Sequence, residues 1–327
     1  MEDIGSMTRH NGGTDAAWAW TEALSGVIPP LITPLHAEGR IDVPAIGTLV
    51  DHLLAGGCSG LFVVGGCGLG PWLTMAQRGE TIRAMAEAAR GRAPVLAGVM
   101  LPATGPAREA ARQAEAEGAD ALVVGSPYYY WVDGDDQRRH VEALLTAVRI
   151  PVLLYNIPQC TAHSLSPETV AALAREPRVL GIKDSSGNLS NFQSLVAIKR
   201  QRPDFRVLQG DERVMAPCLL MGGDGLIPGA ANVAPRYFVD LVRAAARGDV
   251  DACRRQQELI QDLWTLFSYG RGLSGLYAAC AAIGIGSGEV VEPWIAPDAT
   301  QQQAILEILR RHDLLAEATV GKRWIRI

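Results

Sequence analysis

Two apolar runs near the middle of this 327-residue chain end in groups that can do covalent chemistry. One, Pro151-Val-Leu-Leu-Tyr155-Asn-Ile-Pro158, delivers a phenol, and the next, Val179-Leu-Gly-Ile-Lys183-Asp184, delivers an amine. A lysine on an apolar strand loses hydration, which disfavours its charged form and draws its pKa down from about 10.4 toward neutrality. The free amine then attacks a ketone and forms a Schiff base, an electron sink that eases proton loss or carbon–carbon cleavage at the neighbouring carbon. A phenol within reach shuttles the protons. The same positions also allow a plainer reading, with Lys183 paired to Asp184 or another rim carboxylate and Tyr155 simply packed.

A second feature is Val64-Gly65-Gly66-Cys67-Gly68-Leu69-Gly70-Pro71-Trp72-Leu73-Thr74. Glycines let main-chain amides approach a ligand, and ahead of a helix they form a concave site for a carboxylate or phosphate. A dinucleotide fingerprint starting at Gly66 needs glycine where Pro71 stands, and a phosphate-binding P-loop needs a Gly-Lys-Ser/Thr ending. A tight turn without a ligand is the alternative.

Elements that place these groups follow from periodicity. Apolar, β-branched runs at 26–33, 60–65, 94–100, 119–126, 151–158, 179–184, 205–210 and 225–229 are each followed by an amphipathic stretch, at 43–55, 75–89, 107–117, 137–147, 167–174, 189–199, 214–221 and 235–246. Continuous rather than alternating apolar strands imply a parallel sheet covered by helices. Eight such units predict an α/β fold, a TIM (β/α)8 barrel over 23–247, with an open doubly wound sheet as the competing architecture. Helical patterns at 251–267, 273–283 and 300–312 predict a C-terminal helical extension over 248–327, and 1–22 reads as a flexible arm. In such a barrel the reactive groups sit at the carboxyl ends of the strands. Adjacent strands lie about 4.8 Å apart, so Tyr155 and Lys183 at matching heights reach one small ligand.

Composition narrows the function classes. With 48% hydrophobic and 20% charged residues the chain has material for a large core, which excludes disorder and coiled coil. Thirty basic residues against 35 acidic give a net charge of −5, unlike the basic surface of a nucleic-acid binder. The six cysteines lack a C-x-x-C pair, and the six histidines, His163 included, show no ligand spacing, so neither a disulfide framework nor a metal centre is expected. The first 22 residues lack an apolar signal core, and no apolar run reaches the ~18 residues of a membrane span, so a cytoplasmic protein is expected.

Several segments together resemble the dihydrodipicolinate synthase/N-acetylneuraminate lyase family of Schiff-base, pyruvate-dependent aldolases. They are Gly26-Val-Ile-Pro-Pro-Leu-Ile-Thr-Pro34, the glycine loop, Ser126-Pro-Tyr-Tyr-Tyr130, Tyr155-Asn-Ile-Pro158, Gly181-Ile-Lys183-Asp184-Ser-Ser186, Gly210-Asp211-Glu212 and Gly225-Leu-Ile-Pro-Gly-Ala-Ala-Asn232. The likeness runs from about Gly26 to the C-terminus. It implies a lyase with Lys183 as the imine-forming lysine and Tyr155 as the proton-transferring phenol. Tyr129 is similar to the tyrosine that crosses a subunit boundary in this family, which implies a homo-oligomer, a dimer or tetramer. The resemblance further implies that Gly65, Gly66, Cys67 and Gly68 hold the carboxylate of a 2-oxo acid such as pyruvate and that Gly210 and Ile227 line the same pocket. An aldehyde is the implied co-substrate, and no metal or organic cofactor is implied beyond the covalent imine.

The departures are specific. Gly66 and Cys67 occupy two positions that are usually hydroxylated, Leu69 replaces a glutamate, and Cys160 stands where dihydrodipicolinate synthases carry a carboxylate-gripping arginine. A thiol is a weak hydrogen-bond partner and cannot make a bidentate clamp. These changes turn the expectation toward an aldolase or dehydratase acting on 2-oxo-3-deoxy sugar acids. The lysine-pathway synthase reaction and a non-catalytic 2-oxo-acid-binding homologue are the alternatives.

Overall fold

Strand-forming runs and the amphipathic stretches that follow them alternate along the chain in the computed structural model, which describes residues 20–315. The strands are β1 (Leu61–Val63), β2 (Val95–Val99), β3 (Ala121–Gly125), β4 (Val152–Asn156), β5 (Val179–Asp184), β6 (Arg206–Gln209) and β7 (Gly225–Leu226). They pair in chain order as one parallel sheet. Every residue of β1 to β4 is buried, as expected where side chains fill the inside and helices cover the outside.

The segment 26–33, expected as a first regular strand, closes the sheet by isolated bridges instead: Val27 pairs with Leu226 of β7, and Pro30 with Phe62 of β1. Pro29 and Pro30 have no amide hydrogen, so a regular ladder cannot form there. The amides that remain are used. Ile28 N donates to Leu226 O at 2.9 Å and Leu31 N to Phe62 O at 2.8 Å, which seals the gap between β7 and β1. The result is a (β/α)8 barrel with seven regular strands and one broken by prolines, and the consecutive order excludes the doubly wound sheet.

Helix starts follow local capping chemistry. Thr74 and Gln77 form a reciprocal capping box at the head of Met75–Ala89, directly after the glycine loop. Pro235 occupies the first turn of Pro235–Ala246, where its missing amide costs nothing. The helix expected over 214–221 divides into a 3-10 turn, Glu212–Val214, and a short helix, Met215–Leu220, because the Asp211 carboxylate accepts from Arg213 N and starts the turn earlier.

Two apolar cores result. One fills the barrel with Leu24, Ile28, Phe62, Leu96, Leu153 and Leu208, and the other lies between strands and helices. The arm expected over 1–22 falls outside the described residues up to position 19; its end, Trp20–Ala23, is a helical turn whose successor Leu24 reaches into the barrel interior. Beyond the barrel come Val250–Trp264, Thr265–Ser268, Ser274–Ala282 and Ala299–Arg311, and their buried Ile260, Leu263, Leu276 and Ile305 join the outer core. Residues 316–327 of the expected extension lie outside the described residues. No described helix is long and apolar enough to cross a membrane.

Candidate active site

Tyr155 and Lys183 are register partners across β4 and β5 and project into the barrel together. The Lys183 side chain is almost fully buried, its Nζ 4.1 Å from the centre of the Tyr155 ring and 5.1 Å from that of Phe62. Space for it comes from Gly210, where a Cβ would lie 2.6 Å from Lys183 Cε. Burial lowers the amine to a pKa of about 8, and the neighbouring acidic groups of Cys67, Glu212 and Cys160 offset part of that fall to the extent that they ionise. Burial also pushes the Tyr155 phenol above its ordinary range, and a hydrogen bond with Ser185 offsets part of that rise.

Asp184 does not pair with Lys183. Successive strand residues face opposite sides, and its carboxylate accepts from Asn156 Nδ2 at 2.7 Å, Ser186 N at 3.2 Å and Ser186 Oγ at 3.0 Å. Asn156 in turn accepts from Leu165 N at 3.0 Å. This buried network fixes the ends of β4 and β5 and leaves the amine next to aromatic rings rather than in an ion pair.

The loop after β1 is held from three directions. Thr33 Oγ1 donates to Gly68 O at 2.7 Å, Tyr277 Oη donates to Cys67 O at 2.9 Å and accepts from Thr33 N at 3.1 Å, and Arg78 Nη1 donates to Gly70 O at 2.7 Å. Gly66 and Cys67 border the cavity above Lys183, whereas Gly65 and Gly68 lie beneath it, against the Phe62 ring and Leu31 O. The Gly66 amide donates to no acceptor among the described residues. Burial drives the Cys67 thiol up to about 12 and raises that of Cys160 as well, so neither is a thiolate near neutrality.

Glu212 received no role from sequence reasoning, although it stands two residues past Gly210 at the end of β6. Its carboxyl is buried on the same cavity, Oε1 accepts from Ala230 N at 2.8 Å, and Oε2 has no partner among the described residues. Burial raises it to about 7, so it is part protonated at neutral pH. The rule that strand ends carry the chemistry was the signal that could have found it.

The cavity measures about 470 Å³. Its inner end carries Lys183, Tyr155, Ser185, Gly210, Glu212 and Ile227, and Cys160 and Gln159 form one side. The outer end is aromatic, with Trp72 from the glycine loop and Trp264, Phe267 and Trp294 from the C-terminal extension. Tyr129 is not part of it. That residue is 84% exposed, has a backbone φ of +80°, and packs edge-on against Tyr130 at 5.0 Å.

A closed barrel presenting a desolvated amine and a phenol beneath an open cavity has the equipment of an enzyme that captures a carbonyl compound. The chain matches the Dihydrodipicolinate synthetase family over residues 23–312 and belongs to that family. It is 37% identical over 299 residues to the 4-hydroxy-tetrahydrodipicolinate synthase of Sorangium cellulosum, covering 90% of this chain and 98% of the other. The protein of that name from Ralstonia nicotianae is 36% identical over 71% of this chain and 78% of its own length. Among solved structures, dihydrodipicolinate synthase from Bacteroides thetaiotaomicron superposes with a TM-score of 0.84 at 35% identity, covering 88% of this chain and 98% of the other. YagE, a prophage protein of the dihydrodipicolinic acid synthase family from E. coli K12 solved in complex with pyruvate, gives 0.84 at 30% identity over the same shares. The chain is thus an enzyme of the lyase class.

Proposed function

We propose that this protein is a class I aldolase that joins a pyruvate-type 2-oxo acid to an aldehyde, or splits the product, through an imine on Lys183. The observation that carries the reading is the placement of a buried amine, its pKa lowered to about 8, beside Tyr155 at the inner end of an open cavity.

In this reading the free amine adds to C2 of the 2-oxo acid and water leaves to give the protonated imine. Loss of a C3 proton yields an enamine, whose C3 attacks the aldehyde carbon; hydrolysis releases a 4-hydroxy-2-oxo acid and restores the amine. Tyr155 passes the protons, with Ser185 as its hydrogen-bond partner. The Gly66 amide and its neighbours at Cys67 hold the substrate carboxylate, while Gly65 and Gly68 shape the loop from below. Gly210, Ile227 and Cys160 bound the space around the reacting carbons. No metal or organic cofactor takes part.

Incubation with pyruvate followed by borohydride tests this directly. A reduced adduct mapped to Lys183 by mass spectrometry is the expected result, and a chain that stays unmodified at saturating pyruvate would refute the mechanism. Adduct formation without turnover of any aldehyde would instead favour a non-catalytic 2-oxo-acid-binding homologue, the reading that Gly66 and Leu69 motivate.

The names of the relatives favour a second reading, the lysine-pathway synthase. Against it stands Cys160 in place of the clamp, together with the lack of any arginine among the described cavity residues. The reading also includes a homo-oligomer in which Tyr129 serves a neighbouring subunit, supported by its exposure and its strained left-handed backbone. A cytoplasmic setting is supported by six free cysteines.

A further inference from the structure

The outer half of the cavity bears on what the second substrate is. Two aromatic pairs form its wall: Trp72 with Trp294, ring centres 4.5 Å apart, and Trp264 with Phe267, 4.7 Å apart. The first pair is possible because residue 272 is glycine; a Cβ there would lie 2.0 Å from the Trp294 ring. From outside, the Arg213 guanidinium sits 5.6 Å from the Trp264 ring while Asp211 binds it at 2.9 and 2.7 Å, so the charge stays behind the wall.

Polar side-chain groups on this half are few: the indole N–H groups of the tryptophans, Gln159 and Cys160. Gln159 spends its amide on Ser185 O at 2.8 Å, and the Cys160 thiol is a weak partner. A substrate tail carrying three or four hydroxyls finds fewer partners there than it has donors and acceptors, at a cost of roughly tenfold in binding per unpaired group. An aromatic ring gains what the polyol loses, because its faces meet indole and phenyl surfaces.

We infer that the aldehyde partner is apolar and ring-bearing, so that the substrate in the cleavage direction is a 4-aryl-4-hydroxy-2-oxo acid rather than the polyhydroxylated sugar acid expected from sequence. This rests on the Schiff-base reading above. In cleavage the C3–C4 bond of the imine breaks, its electron pair passes into the iminium, the C4 hydroxyl proton goes to the general base, and the aryl aldehyde leaves. Protonation at C3 and hydrolysis then free pyruvate, with no other reactant.

The test compares 4-hydroxy-2-oxo-4-phenylbutanoate with a 2-oxo-3-deoxyhexonate by pyruvate release, on full-length enzyme first checked for the borohydride adduct with pyruvate. The phenyl substrate is expected to win by about 100-fold in kcat/KM, the scale of burying one ring, with the difference mainly in KM. Trp264→Ala and Trp294→Ala should each raise KM for the phenyl compound about tenfold and so narrow its advantage over the hexonate. A hexonate preference in an enzyme that forms the adduct overturns this inference alone, as do tryptophan variants that leave the preference intact. Failure to form the adduct overturns the Schiff-base reading and this inference with it.

Discussion

The inner and outer ends of the cavity are built by different parts of the chain and on different principles. At the inner end, strands β4, β5 and β6 deliver one titratable group each, Tyr155, Lys183 and, just past the strand, Glu212, and hydrogen-bonded scaffolding fixes the backbone around them. The outer end is lined by large rings from the glycine loop and from helical and loop segments of the C-terminal extension. Covalent chemistry needs position and tuned proton affinity, which a barrel rim supplies. Selection of a partner needs only shape and surface, and these can be remodelled without disturbing the strands.

Substitutions separate the two ends. The largest effect falls on Lys183→Ala, expected to abolish borohydride trapping while far-ultraviolet circular dichroism stays unchanged; any residual adduct on another lysine would move the reaction centre. Tyr155→Phe should still form some imine but lose about 10²-fold or more in turnover, the usual scale of a missing general acid–base group. Full activity would remove the phenol from the mechanism. The pH dependence comes next: the rate of trapping should rise about tenfold per unit up to pH 8 and level off above it, because only the uncharged amine adds to the ketone. Stability should also rise between pH 8 and 10.5, where the unfolded chain holds the lysine proton that the folded chain has released. Glu212 has the opposite sign. Its folded pKa of about 7 exceeds the ordinary 4.5, so stability should fall as pH rises through that window, and Glu212→Gln should flatten the slope in pH-dependent urea denaturation. The smallest effect is expected for Cys67→Thr, a gain of a few-fold in turnover if a loop hydroxyl helps the relay; an unchanged rate would leave the loop as a carboxylate cradle only.

Sequence reading reached the inner end further than the outer one, for physical reasons. Tyr155 and Lys183 were legible because a polar group closing an apolar strand is a local signal, and parallel pairing converts it into proximity. The eightfold alternation was legible from periodicity, although the prolines at 29 and 30 break the first strand into bridges. Glu212 shared the same signal and was passed over. The aromatic wall was not legible: Trp72 lies more than 190 residues from Trp264, Phe267 and Trp294, and only folding shows that they meet. Nor could spacing separate Gly66, which borders the cavity, from Gly65 and Gly68, which support the loop.

Tyr277 gives the extension a second job. One phenolic oxygen, carried by the helix Ser274–Ala282, touches the backbone of both Thr33 and Cys67, and so couples the proline-broken segment 26–33 and the glycine loop to the final quarter of the chain. Grafting another relative's tail onto this barrel to alter specificity would therefore also shift the glycine loop, the proposed cradle of the keto acid, unless the graft brings an equivalent hydroxyl to that point.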